Sequence, residues 1–115
     1  MSKPQVLRAR RFQISRRGQL TYEEHQFACL VQDISVKGLF AICNYDLEIG
    51  LVLTIRFDLK PDLPFEGKIK VRHFNDGCFG AEIVEADPRY LENWNRFLED
   101  QFGDQANLPE RRARR

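Results

Sequence analysis

The 115-residue sequence lacks the features that mark zinc-binding, membrane-spanning and secreted proteins. It has only three cysteines, Cys29, Cys43 and Cys78, and none of them forms a CxxC pair, so the usual spacing of a zinc site is missing. No apolar run approaches the roughly 18 to 20 residues of a membrane-spanning helix, and the basic N-terminus has no apolar signal-peptide stretch. We therefore expect a cytoplasmic protein with no membrane span, no metal and reduced thiols.

Motifs of catalysis are missing as well. The sequence contains no HExxH, GxSxG or GxxxxGK pattern, and only two histidines are available to act as bases. One of these, His25, stands between Glu24 and Gln26 and is interpreted as a solvated loop residue. We predict a binding protein rather than an enzyme.

Charge is nearly balanced overall, at +1, but it is unevenly distributed. Residues 1–20 carry six Lys and Arg side chains and no acid, and residues 111–115 add four arginines. The other eight basic side chains share residues 21–110 with all 17 acids. An acidic body with basic ends has no broad basic face for a nucleic-acid duplex, so we expect local contacts with anions instead.

Alternation of apolar and polar side chains predicts a β-rich domain. Residues 51–60 alternate strictly, which is typical of a half-buried strand. Pro61 and Pro64 are predicted to break the sheet after it, and the sequence Asn75-Asp76-Gly77 indicates a hairpin turn. Six short strands with this spacing favour a small barrel or sandwich. The predicted strands span residues 12–22, 27–34, 38–42, 51–60, 65–73 and 78–84.

The sequence ends in an amphipathic helix. Asp87 can cap it, Pro88 suits its first position, and Gly103 ends it. Its aromatic stripe, which includes Trp94 and Phe97, either packs across the barrel or binds a partner. We predict the following segments: a flexible N-terminal segment at 1–7, a barrel domain at 8–102 with its closing helix at 88–102, and a basic, mobile tail at 103–115.

One short motif carries binding chemistry. Asp33, Ser35 and Gly38 form a DxSxxG pattern at the end of a predicted strand. A carboxylate can accept both N–H donors on the Watson–Crick edge of guanine, and Gly38 is expected to permit a backbone conformation that other residues resist. The alternative is that Asp33 and Ser35 merely organise a turn.

Together, the DxSxxG motif, the basic segment before it, the six predicted strands and the closing helix resemble the PilZ domain family. Residues 77–83 are also similar to the family's late strand, in which a glycine precedes an apolar and acidic stretch. The resemblance covers about Arg8 to Phe102. It implies a mainly all-β fold, a six-stranded antiparallel β-barrel with a C-terminal α-helix packed on it, and many such domains bind cyclic di-GMP.

The family's second motif, RxxxR, is matched imperfectly. No pair among Arg8, Arg10 and Arg11 has that spacing. With Arg11 as the second arginine, the distance to Asp33 is the one expected of the family, but Arg8 then lies one residue late. The resemblance implies that these arginines bind phosphates and guanine edges; the alternative is a solvated basic terminus.

The missing spacing does occur once elsewhere, from Arg111 to Arg115 in the predicted tail. Arginine-rich tails generate such spacings by chance. The alternative is that the tail folds back and supplies guanidinium groups to the site.

His73 completes the predicted site. It ends a strand on which Ile69 and Val71 face the core, and it stands beside the Asn75-Asp76-Gly77 turn. In the family a residue of this strand can flank the bound guanine, and an imidazole face suits base stacking. The alternative is a structural histidine at the barrel rim.

Two functions therefore remain open. The first is a single-domain cyclic di-GMP receptor and adaptor that uses Arg8, Arg10, Arg11, the DxSxxG turn and His73, needs no other cofactor, and signals to an unidentified protein partner. The second is a degenerate PilZ domain that binds no nucleotide and acts as a protein–protein interaction module in motility or pilus assembly. Non-specific binding of nucleic acid is a third and minor reading.

Overall fold

Six antiparallel strands close into a barrel in the computed structural model, which describes residues 10–102. The strands follow one another around the barrel in the order β1-β2-β3-β6-β5-β4, and pairing of β1 with β4 closes it. This confirms the predicted fold class. The elements are β1 (Arg11–Tyr22), β2 (His25–Ser35), β3 (Gly38–Cys43), β4 (Val52–Lys60), β5 (Leu63–Asn75), β6 (Cys78–Glu85) and α1 (Pro88–Phe102).

The predicted hairpin between β5 and β6 forms a tight turn. Asp76 and Gly77 have positive φ angles of 53° and 86°, which is the backbone conformation of the turn type that suits the twist of paired strands. The prediction that Pro64 breaks the sheet is wrong, because Pro64 lies inside β5 opposite Asp58. Strand β6 pairs with β5 only from Lys68 onward, so Pro64 lies where the missing N–H is tolerated.

His25 also differs from its prediction. Its side chain is exposed, as expected, but it is the first residue of β2, paired with Tyr22, and not a loop residue. The turn before it is short because Glu23 adopts a positive φ of 55°, which an ordinary side chain takes up only at some cost. The β1–β2 hairpin is consequently longer than the sequence pattern predicts.

The helix closes the barrel with its aromatic stripe. Trp94 is 1% exposed, and its ring centroid lies 4.6 Å from that of Phe65. Phe97 and Phe102 pack edge-on against Phe12 at 5.7 and 5.9 Å. Burying such rings provides a large part of the stabilisation of a small core. The stripe therefore belongs to the fold, and the alternative of a partner-binding helix face is wrong for these residues.

The three cysteines are free thiols. Cys29 and Cys43 are buried opposite each other on β2 and β3. Burial, together with the neighbouring Cys43, raises the pKa of Cys29 to about 12, so its thiol stays protonated and unreactive at neutral pH. Within residues 10–102 the structure has no helix long and apolar enough to cross a bilayer.

Candidate functional site: a cleft at one end of the barrel

A cleft of about 280 Å³ opens at the end of the barrel where β1 begins and β2 ends. Five of the seven residues predicted for the site line it, although they come from four different strands or their connections. These five residues are Arg11, Asp33, Ser35, Gly38 and His73. The remaining walls come from residues that the sequence did not single out: Lys37, Leu39, Phe40, Arg72, Gly80, Ala81 and Glu82.

The DxSxxG turn is fixed by two hydrogen bonds at Ser35. The Ser35 hydroxyl oxygen accepts a hydrogen bond from the Lys37 backbone N–H at 3.3 Å, so it organises the turn as the structural alternative predicted. The Ser35 carbonyl accepts one from the indole N–H of Trp94 at 2.8 Å. The hydrogen bond from the buried Trp94 connects the turn to α1, so the turn is held in place without a ligand.

Gly38 has a structural role different from the one predicted. Its φ is not in the left-handed region, which among the described glycines only Gly50 and Gly77 adopt. Instead, a Cβ at this position would collide with the carbonyl oxygen of Ala81 on β6. Gly38 is required because β3 and β6 approach closely here, and this approach forms the back of the cleft.

Asp33 is half-buried and lines the cleft. Burial raises the pKa of Asp33 above the ordinary 3.8, and the nearby Arg11 guanidinium partly opposes that rise. Strand β1 pairs with β2 so that Arg11 is opposite Ser35, and Ser35 is two residues along β2 from Asp33. The site thus combines one hydrogen-bond acceptor of carboxylate type with an adjacent planar cation.

His73 reaches the cleft because of a bulge in β5. The register with β6 shifts between Val71 and His73, so His73 pairs with Gly80 and is exposed together with Arg72. A bulge re-aims a side chain in this way, and strict alternation, which would place His73 on the same face as Val71, fails here. The structure places the imidazole in the cleft instead.

Gly80 makes room for that imidazole. A Cβ on Gly80 would collide with Nε2 and Cε1 of the His73 ring. On the other side, the Phe40 ring lies 6.3 Å from the His73 ring, centroid to centroid, at an angle of 34°. The imidazole therefore occupies the space that a side chain at position 80 would fill. The sequence places Gly80 in the late strand, but its pairing with His73 follows only from the register of β5 and β6.

Arg72 and Glu82 form an ion pair across β5 and β6. The Arg72 Nε–H donates to the Glu82 Oε1 atom at 2.8 Å. Both side chains are about half exposed, so the pair adds little to stability and its guanidinium can exchange partners at low cost. With Arg11 and Lys37, Arg72 brings the number of cations in the cleft to three, against the carboxylates of Asp33 and Glu82.

The remaining predicted residues are placed differently. The Arg10 guanidinium carbon lies 4.9 Å from the centroid of the Phe102 ring, so this side chain contacts the helix rather than the cleft. Arg8 and the tail residues Arg111 and Arg115 lie outside the described residues, as do the segments at 1–7 and 103–115. Their contribution to ligand binding stays a prediction. Among the residues that the structure covers, no cluster of side chains has the ligands for a metal ion.

The fold and the cleft define a small all-β binding domain, with an acceptor, three cations and an imidazole around one opening. The sequence model of the PilZ domain matches residues 5–100. The chain therefore belongs to the PilZ domain family, as the resemblance implied; the domains of this family act in binding and as adaptors.

Two solved structures share the fold. The inhibitor of motility from Bacillus subtilis, MotI/DgrA, is 17% identical with a TM-score of 0.66, over 85% of this chain and 52% of that one. The chain thus spans about half of that protein. The PilZ domain of YcgR from Escherichia coli, solved with c-di-GMP, is 15% identical with a TM-score of 0.64, over 87% and 96% of the two chains. No curated protein sequence matches the chain.

Proposed function

We propose that this chain is a cytoplasmic cyclic di-GMP receptor that passes the signal to a protein partner. The observation that carries the proposal is the convergence of Arg11, Asp33, Ser35, Gly38 and His73 on one cleft, from distant parts of the sequence. Membership of the PilZ family and the c-di-GMP in the YcgR structure support the same ligand class.

Each cleft residue has a distinct task in this proposal. The ionised Asp33 accepts N1–H and N2–H of one guanine, and Arg11 donates its planar fork to a phosphate or to guanine O6 and N7. The His73 imidazole stacks on the base. Arg8 is expected to contribute a further guanidinium, and Gly38 keeps β3 and β6 close together at the back of the cleft.

Arg72 compensates for the imperfect RxxxR motif. It supplies a second guanidinium in the cleft, and its exposed partner Glu82 can release it to a phosphate at little cost. A phosphate binds a guanidinium bidentately, which an ammonium such as that of Lys37 cannot do. Binding in the micromolar range is therefore expected even without the RxxxR spacing.

Calorimetric titration of the full chain with cyclic di-GMP tests the proposal. We expect saturable binding, and a loss of roughly ten- to a hundredfold for Asp33→Ala, since one bidentate contact to guanine is worth about 1 to 3 kcal/mol. The matched control is Asp58→Ala, an exposed aspartate of β4 outside the cleft, which should bind as the unaltered chain does. Cyclic di-AMP should bind poorly, because adenine has no N1–H for Asp33.

One observation favours the second candidate, a PilZ domain that binds no nucleotide and serves as a protein-interaction module in motility or pilus assembly. Two of the guanidinium groups near the cleft are engaged within the protein, Arg72 with Glu82 and Arg10 with the Phe102 ring. If the folded chain gives neither heat nor chemical-shift changes with excess cyclic di-GMP, these contacts are permanent and the second candidate replaces the first.

A further inference from the structure

A second concave surface lies at the opposite end of the barrel from the cleft. Strand β1 starts at the cleft and ends at this surface, which we call the far groove; it lies between the β1–β2 turn and the loop at 44–51. Its volume is about 670 Å³. The floor is apolar, and the side chains that form it are Phe27, Leu47, Leu51 and Leu53.

Apolar side chains are unusually exposed around the far groove. Tyr45 is 56% exposed and Ile49 is 67% exposed, and Tyr22 and Val52 add 38% and 41%. The centroids of the Phe27 and Tyr45 rings lie 4.5 Å apart, with the rings tilted by 46°, and both residues line the groove. Tyr22 and Tyr45 line the groove itself, whereas Ile49 and Val52 lie in the adjoining loop and strand. Exposed apolar side chains grouped in this way mark interaction sites, and aromatic residues are enriched at protein interfaces.

The far groove is also acidic. The segments that form it, 22–28 and 44–53, contain four carboxylates and no Lys or Arg. None of the four enters an ion pair within residues 10–102. A groove with an apolar floor and an uncompensated negative rim is complementary to a positively charged, partly apolar surface. The four carboxylates belong to Glu23, Glu24, Asp46 and Glu48.

The walls of the groove are preformed. Backbone hydrogen bonds tie the 44–51 loop to the barrel: the Gly50 N–H donates to the Val71 carbonyl at 2.7 Å, and the Val71 N–H donates to the Leu51 carbonyl at 2.9 Å. The Cys43 thiol donates to the Tyr45 carbonyl at 3.3 Å. A surface that is already ordered loses little conformational entropy on binding, so the loop does not have to refold around a partner.

We propose that the far groove docks a basic peptide segment of a protein partner, whose Lys or Arg side chains pair with the rim acids and whose large apolar side chain enters the floor. Two other occupants fit the charge poorly. A second copy related by a twofold axis would bring the same carboxylates face to face, and an anionic lipid surface would be repelled by them. The groove shares no lining residue with the cleft, so this proposal does not rest on cyclic di-GMP binding.

NMR titration of the isotope-labelled full chain with synthetic peptides tests this proposal. We expect a peptide of lysine and leucine to shift the amides of the far groove in a saturable way. A peptide of glutamate and leucine should cause no such shifts, and one of lysine and serine should bind roughly tenfold more weakly because it lacks the apolar anchor. Shifts of equal size with the glutamate peptide would overturn the proposal.

Single substitutions test whether the peptide binds at the far groove and not elsewhere on the surface. Glu24→Lys and Asp46→Lys should each weaken the lysine–leucine peptide several-fold, and Tyr45→Ser should do the same without charge reversal. The matched control is Glu92→Lys on the exposed face of α1, which should bind normally. Asp33→Ala should also bind the lysine–leucine peptide normally. Loss of cyclic di-GMP binding at the cleft can therefore be distinguished from loss of peptide binding at the far groove. Equal weakening by Glu92→Lys would mean unspecific attraction and would contradict the proposal.

Two further outcomes would identify a different occupant and so overturn the proposal. Concentration-dependent dimerisation in sedimentation, abolished by Tyr45→Ser, would assign the groove to a second copy. Movement of the groove resonances when the tail arginines of the full chain are replaced by serine would assign it to the chain's own C-terminal segment. The tail arginines are Arg111, Arg112, Arg114 and Arg115.

Discussion

The two ends of the barrel are built from the same strands but differ in shape and in charge. The cleft is about 280 Å³ and is lined by three cations and two carboxylates, of which Glu82 is paired with Arg72. The far groove is about 670 Å³, has an apolar floor and carries acids without a Lys or Arg. The shared core provides a rigid scaffold, whereas bulges, close-packed glycines and loops at the strand ends decide what each end can bind.

The glycines illustrate the difference. At the cleft, Gly38 and Gly80 are required by close approach, to the backbone of Ala81 and to the ring of His73 respectively. At the far groove, Gly50 has open space around the position of a Cβ but a positive φ of 96°. At the cleft, packing therefore requires glycine, whereas at the far groove the backbone conformation requires it. Substitution by alanine should have a different effect at each end.

The largest effect is expected from Gly38→Ala. The added methyl group meets the backbone carbonyl of Ala81, which cannot rotate away, so the free energy of unfolding should fall by about 3 kcal/mol. Gly50→Ala is the matched control at the other end and should cost about 1 kcal/mol, the strain of a left-handed alanine. Urea denaturation of both variants measures this. Equal losses would show that β3 and β6 can separate at Gly38.

The next effect concerns the contact between Gly80 and His73. His73→Ala should weaken cyclic di-GMP binding roughly tenfold by removing a stacking surface, and Gly80→Ala should weaken it similarly by displacing the imidazole. In the double variant the losses should not add, because without the ring a methyl group at position 80 meets no imidazole. Calorimetric titration of the unaltered chain, the two single variants and the double variant with cyclic di-GMP gives the coupling free energy between the two positions.

Two results would contradict that account. Additive losses would mean that Gly80 acts on the ligand directly or on the fold. Unchanged affinity of His73→Ala, with a lowered melting temperature, would show that His73 is structural, as the alternative interpretation of the sequence holds.

The smallest effect is the pH dependence of binding. Only the ionised Asp33 accepts both guanine donors, and burial raises the pKa of Asp33 above 3.8. As the pH is lowered, the affinity for cyclic di-GMP should therefore begin to fall at a higher pH than it would if Asp33 had the pKa of an ordinary aspartate. Protonation of Asp33 does not itself unfold the protein, because its raised pKa means that protonation of this carboxyl group stabilises the folded, ligand-free state.

The matched variant for this experiment is Asp33→Asn, which keeps the shape of the side chain but does not titrate. Its weaker binding should show a flatter pH profile over the acidic range in calorimetric titrations. A profile that keeps the same steepness would assign the titration to another group and leave Asp33 without the proposed role.

The sequence predicted the barrel well because alternation reports burial directly. In β4, Leu53, Ile55, Phe57 and Leu59 are all buried, as their period indicates. The helix was equally clear, since its aromatic residues recur at helical spacing and bury themselves. Local turn chemistry also identified the Asp76-Gly77 hairpin.

The site was predictable only in part, because much of it depends on register between strands that are distant in sequence. The DxSxxG motif located Asp33 and Ser35, but no local pattern reveals that Gly38 packs on Ala81 or that Gly80 lies under His73. The bulge that turns His73 outward breaks the alternation of β5, and His73 was predicted for the site from the adjacent turn and the family resemblance instead.

The far groove was not predicted at all. It forms where the β1–β2 turn meets the loop at 44–51. The sequence of each segment alone is typical of a polar connection between strands. The apolar residues in them, such as Tyr45 and Ile49, acquire meaning only when the fold brings the two segments together. A surface formed by two loops leaves no periodic signal in a single sequence.

An NMR titration of the full chain with cyclic di-GMP tests the difference between the two ends most directly. The account predicts saturable shifts at the amides of Asp33, Ser35, Gly38 and Gly80, and none at those of Phe27 and Tyr45 in the far groove. Shifts confined to the far groove, or no shifts at all at a large excess of cyclic di-GMP, would contradict it.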